Sequence, residues 1–177
     1  IDDARSFFHK SDARYDLIVF GYLDAHRLLS SFSSVRLDNF IYTLESFREA
    51  KRYLKPGGLL VVTYVAFEDW IVARLSRHLQ ETFGEDVRTY AAPLQDDVTI
   101  VFLAGPAVRE IPRKDINGFE LTERFDGMDV PVATDDWPYL YMRRRSVPAH
   151  YVMVLLGVLV LSLVMLGVAG RGTLRKR

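Results

Sequence analysis

Nineteen consecutive residues, Tyr151 to Ala169 (YVMVLLGVLVLSLVMLGVA), carry no charge. At about 1.5 Å of helical rise per residue, such a run nearly reaches across the roughly 30 Å hydrocarbon core of a bilayer. A helix that is apolar on every side needs lipid or a large protein to enclose it, and nothing else in the 177 residues is big enough. The segment 147–170 is therefore read as a transmembrane helix, with a basic tail at 171–177. Basic clusters lie on both sides, Arg143 to Arg145 and RGTLRKR from Arg171, so the positive-inside rule leaves the orientation nearly tied.

The remaining composition excludes several functions. Lys plus Arg and Asp plus Glu both total 23, so no basic excess points to nucleic acid. Cysteine is absent, which removes disulfides, thiolate metal sites and a cysteine nucleophile together and fits a reducing compartment. His9, His26, His78 and His150 show no metal-ligand spacing, and His78 is placed on the polar side of its helix. Ser30 to Ser34 includes four serines but no Gly-x-Ser-x-Gly turn, which argues against a hydrolase nucleophile. The chain begins at Ile1 without a signal-like segment and is expected to be a carboxyl-terminal piece.

From residue 1 to 105, short apolar runs alternate with amphipathic stretches, the pattern of a parallel α/β sheet. Tyr15 to Phe20 reads as a strand buried on both faces, because its apolar run does not alternate. Phe40, Leu44, Phe47, Ala50 and Leu54 recur at helical spacing until Pro56-Gly57-Gly58. Leu59 to Val65 is a second strand. Asp69 is a plausible N-cap for a helix presenting Ile71, Val72, Leu75, Leu79 and Phe83 on one face, with Gly84 as its C-cap. Val98 to Leu103 is a third strand and Val87 to Ala91 a weaker one. Residues 106–146 form a connector wrapping back on the domain. Three strands and two helices make half a sheet, which implies further chain upstream.

These residues together resemble a known family. Asp2-Asp3-Ala4-Arg5 with Phe7 and Phe8, then Tyr15-Asp16-Leu17-Ile18-Val19, then Asp24, then Leu54-Lys55-Pro56-Gly57-Gly58-Leu59-Leu60-Val61 are similar to the second half of a spermidine-synthase-like domain. The fold implied is the Rossmann-like one of class I S-adenosylmethionine-dependent methyltransferases. TDDWPYLY at Thr134 to Tyr141, ahead of the apolar run, resembles the membrane-bound branch of that family. The resemblance implies that Asp3 faces an adenine, its carboxylate accepting from the exocyclic amine while the Ala4 N–H meets a ring nitrogen. It also implies S-adenosylmethionine or its decarboxylated form as substrate, and a polyamine as possible acceptor.

The chain departs from the family pattern at the acceptor side. Where spermidine synthases carry the first acid of an Asp-x-x-Asp pattern stands Gly21, and only the second position, Asp24, is acidic. The family's tyrosine on the next helix falls on Phe47. Both missing groups are ones that grip a cationic amine. Asp24 and His26 could form a substitute acid/base pair, with Tyr22 and Tyr42 nearby as donors, or could be a solvated loop. The Gly-rich turn that lets the backbone approach the methionine part of the nucleoside is absent from these residues, so the segment alone is expected to bind nucleoside weakly. Trp137, Tyr139 and Tyr141 are read as a lid or anchor packed near the membrane surface. The expectation is a membrane-anchored transferase in an inner or plasma membrane, its globular part in the cytoplasm, with a small nucleoside and a lipid bilayer as partners and no nucleic acid. The alternatives are methyl transfer to a membrane-borne acceptor, or a non-catalytic nucleoside- or polyamine-binding domain coupled to transport.

Overall fold

A computed structural model describes residues 13–21, 37–66, 68–94, 97–147 and 149–174. It divides into two compact units, Ile1–Arg144 and Arg145–Arg177.

In the first unit, β1 (Tyr15–Gly21) and β2 (Leu54–Ala66) run parallel, with Leu17 opposite Leu59 and Gly21 opposite Thr63. Helix α1 (Leu44–Tyr53) lies between them in sequence. Helix α2 (Asp69–Phe83) then leads from β2 to β3 (Val87–Leu94), and β4 (Asp97–Ala104) returns to insert between β2 and β3. With β5 (Glu120–Leu121) the sheet order is β1-β2-β4-β3-β5. The sheet is thus mixed rather than parallel throughout. Only residues 95–96 separate β3 from β4, too few for a crossover, so the two form a hairpin. Two successive antiparallel pairings leave β3 running in the same sense as β2, which makes β2-α2-β3 a crossover with β4 laid into its gap.

The local chemistry explains the elements. Thr43 caps α1, its hydroxyl accepting from the Ser46 N–H, while Glu45 in the first turn and Lys51 and Arg52 in the last complement the helix dipole. Leu44, Phe47 and Ala50 form its buried stripe. Lys51 reaches the Thr82 carbonyl at 2.6 Å and ties α1 to α2. Gly84 does close α2, its φ of 67° placing it in the left-handed region and its N–H reaching the Gln80 carbonyl. The N-cap is Glu68 rather than Asp69, whose carboxylate pairs with Arg124 at 2.6 Å. Pro56-Gly57-Gly58 does not lie outside the strand but inside β2, as a bulge opposite Tyr15 to Leu17. A Cβ on Gly58 would stand 3.0 Å from the Lys55 carbonyl oxygen and 3.2 Å from that of Tyr15, so any larger residue would push the two strands apart by a few tenths of an ångström.

Strand β1 is not buried on both faces. Ile18 and Phe20 enter the core against α1 and α2, whereas Leu17 and Val19 are 53% and 55% exposed. Alternate residues address opposite faces, and among the described residues both helices of this unit cover the same one. Helix α2, in contrast, is enclosed more fully than an amphipathic reading allows. Residues 106–144 wrap it, contributing Phe125, Val130, Ala133 and Leu140 to the core. Arg74 and His78 are consequently buried, and His78 does not face solvent.

The second unit is helix α3 (Ala149–Leu174), in which Ala149–Gly167 is long and apolar enough to cross a membrane.

Candidate functional site

Residues of chemical interest gather at the carboxyl ends of β1 and β2, where open α/β sheets place their ligands. Gly21 ends β1. Beside it, the Thr63 hydroxyl donates to the Phe20 carbonyl. Next on β2, Tyr64 is edge-to-face with Tyr42 at 6.1 Å between centroids, and its hydroxyl oxygen lies 3.5 Å from that of Tyr141. Three tyrosines from three segments therefore meet near one strand end.

The block Thr134 to Tyr141 is fixed there through its backbone and its acid. Thr43 Oγ1 donates to Asp135 Oδ1 at 2.7 Å, the Asp135 N–H donates to Glu45 Oε2 at 3.0 Å, and the Leu44 N–H donates to the Ala133 carbonyl at 3.0 Å. Two carboxylates thus sit at the amino-terminal turn of α1, where the helix dipole favours negative charge. Thr134 and Trp137 exchange backbone hydrogen bonds and close the block into a tight turn.

Arg74 organises the other side. Its guanidinium donates to the carbonyl oxygens of Pro131, Tyr139, Leu140, Met142 and Arg143 at 2.5 to 3.3 Å, and it lies 5.0 Å and 5.2 Å from the Trp70 and Trp137 ring centroids. One turn on, His78 Nε2 accepts the Ala133 N–H at 2.8 Å. Burial, followed by the charges of Arg74 and Arg77, pushes the His78 pKa down to about 3. The ring is neutral, its proton sits on Nδ1, and Nδ1 has no hydrogen-bond partner among the described residues. Within the globular unit, Trp137 and Tyr139 are half-buried and packed edge-on, with ring centroids 5.8 Å apart. Trp137 stacks on Arg74, and the block packs against α1 and α2 of its own unit.

Of the residues expected to act, Asp3, Ala4, Asp24 and His26 lie outside the described residues, as does Tyr22. Gly21 and Tyr42 fall at the strand-end site. Phe47 does not open onto it: the ring is fully buried, 5.8 Å from Phe20 and 5.9 Å from His78. Thr43, Arg74, His78 and Asp135 had no assigned role in the sequence. Trp70, Arg74 and His78 recur every four residues, and that stripe was the available signal.

Among the described residues no group of three or more His, Asp or Glu could hold a metal ion. A shallow groove of about 300 Å3 lies along α2 beside Ser76, Arg77, Gln80 and Asp126. Its polar groups are engaged with one another, Asp126 Oδ1 accepting from both Ser76 and Gln80.

No family model matches the sequence, and no curated relative was found. Among solved structures the chain is similar to a probable spermidine synthase from Corynebacterium glutamicum ATCC 13032, with 23% identity over 59% of this chain and a TM-score of 0.44. The match spans 36% of that protein's length.

Proposed function

We propose that the chain belongs to a membrane-anchored, spermidine-synthase-like transferase that binds S-adenosylmethionine or decarboxylated S-adenosylmethionine outside the carboxyl ends of β1 and β2. The reading is carried by one observation. The parallel β1-α1-β2 unit ends with Gly21 and Tyr141 exposed above the buried Tyr42 and Tyr64 and beside the Asp135–Glu45 contact, at the strand end where open α/β sheets place their ligands. Asp3 and Ala4 are assigned to the adenine, Asp24 and His26 to proton transfer at the same edge. Helix α3 anchors the protein in an inner or plasma membrane, with the globular unit on the cytoplasmic side, where the nucleoside is made.

Gly21 favours a second reading, methyl transfer to a membrane-borne acceptor. Its backbone is ordinary, and a Cβ would meet only Val19 Cγ1 at 3.9 Å and Thr63 Oγ1 at 4.0 Å. The described surroundings therefore accept a Cβ at this position in ordinary van der Waals contact.

Calorimetric titration of the full-length protein in nanodiscs with S-adenosylmethionine, its decarboxylated form and methylthioadenosine separates these readings. Preference for the decarboxylated form supports aminopropyl transfer, and preference for the carboxylated form supports methyl transfer. Binding of none contradicts both and leaves a non-catalytic domain. In the first case Gly21→Asp should raise affinity for a polyamine acceptor about tenfold, as expected for one added charge-assisted hydrogen bond.

A further inference from the structure

Of the three tyrosines that meet at the ends of β1 and β2, only one is open to a ligand. Tyr42 and Tyr64 are each 1% exposed, whereas Tyr141 is 37% exposed. The Tyr141 hydroxyl oxygen lies 3.5 Å from that of Tyr64, so its phenol tip is set against β2 and a ligand arriving at this edge meets the ring.

Arg74 brackets the backbone that carries this ring. Its Nη1 donates to the carbonyl oxygens of the two residues before Tyr141, Tyr139 at 3.0 Å and Leu140 at 2.5 Å. Its Nη2 donates to those of the two residues after it, Met142 at 2.8 Å and Arg143 at 3.3 Å. Nε takes the Pro131 carbonyl at 2.7 Å, so the five N–H groups of the guanidinium meet five carbonyls. The Trp70 and Trp137 rings, 5.0 Å and 5.2 Å away, hold the guanidinium in turn. Filling a core with a buried charge is costly, and what a satisfied polar network supplies in return is a single fixed geometry. Here the geometry fixed is the path of the chain on both sides of Tyr141.

We propose that Arg74 is a positioning residue of the strand-end site: by fixing the backbone on each side of Tyr141, it holds that ring ready against a nucleoside. A ring already in place loses little conformational entropy when the ligand arrives. This inference rests on the strand ends being the nucleoside site.

The test is a double-mutant cycle in affinity for methylthioadenosine, the moiety common to both candidate substrates. Calorimetry on the full-length protein in nanodiscs compares wild type, Tyr141→Ala, Arg74→Lys and the double variant. Tyr141→Ala should weaken binding about tenfold, the scale of one aromatic contact with a base, and Tyr141→Phe should bind as wild type does. Arg74→Lys, measured where its tryptophan fluorescence is that of folded protein, should weaken binding about fivefold, because three donors cannot bracket the residue. In the Tyr141→Ala background that fivefold should vanish, since the position of an absent ring no longer matters. An arginine that only stabilises the unit would instead cost the same factor with or without Tyr141, and that result overturns the positioning role. Wild-type affinity in Tyr141→Ala overturns it as well. Should Arg74→Lys fail to fold, Trp70→Leu takes its place in the cycle, removing one ring from the guanidinium and none of the five carbonyls. Failure of the wild-type protein to bind methylthioadenosine contradicts the nucleoside site itself, and the inference falls with it.

Discussion

Replacing Arg74 by methionine should destabilise the globular unit by about 3 to 5 kcal/mol, the range for removing one partner of a buried charged network. The side chain is fully buried, and its loss removes the donors from five backbone carbonyls, of which that of Leu140 is held in a buried contact and the others are part-buried. Methionine keeps the apolar stem but ends about where Nε stands, so the loss combines the hydrogen bonds, the contacts with the two tryptophan rings and the space of the guanidinium group. Arg74→Lys should recover less than half, because one ammonium has three donors and no planar fork to match acceptors spread from Pro131 to Arg143. The protein's two tryptophans, Trp70 and Trp137, both lie against this guanidinium, so their fluorescence during urea denaturation follows the affected region directly. A change below about 1 kcal/mol for Arg74→Met would contradict the hub, since it would equal an ordinary surface substitution.

Stability should also fall as the solution is acidified from pH 6.5, by about 1.4 kcal/mol per pH unit from His78 alone. In the unfolded chain His78 takes up a proton near its ordinary value of 6.5, but in the fold it stays neutral down to about 3. Within that window the unfolded state binds the extra proton, so acid favours unfolding. The contribution is fully present above pH 6.5 and is lost progressively towards pH 3. His78→Gln isolates the histidine, because glutamine keeps an acceptor for the Ala133 N–H and does not titrate. The variant should be less stable than wild type at neutral pH and show a flatter slope between pH 6.5 and 4.5. Parallel slopes would show that His78 is protonated within the fold.

Periodicity identified α1 and α2 because Phe47, Ala50, Leu75 and Leu79 repeat on faces that do bury against the sheet. It failed where a second layer was added. His78 read as the polar side of α2 and Arg74 drew no reading at all, but residues 130–143 fold over both and supply backbone partners that no side-chain pattern records. The opposite failure occurred in β1. Its unbroken apolar run suggested two covered faces, whereas Leu17 and Val19 are exposed while Ile18 and Phe20 are buried. The reversal of β4 was encoded only in the length of a connection, the two residues after Leu94, and composition carries no trace of strand direction. At the candidate site, Gly21 and Tyr42 were legible from the motif order. Asp135 and Glu45 were not, because their pairing joins residues 90 positions apart.

The central claim is that a nucleoside binds at the carboxyl ends of β1 and β2. Hydrogen–deuterium exchange of the full-length protein in nanodiscs, with and without saturating methylthioadenosine, tests it most directly. Binding there should slow exchange in the peptides covering Phe20–Gly21, Ile41–Thr43 and Thr63–Ala66, with smaller changes along 134–141. Unchanged exchange at those strand ends, or protection confined to the groove beside Ser76 and Asp126, would contradict it.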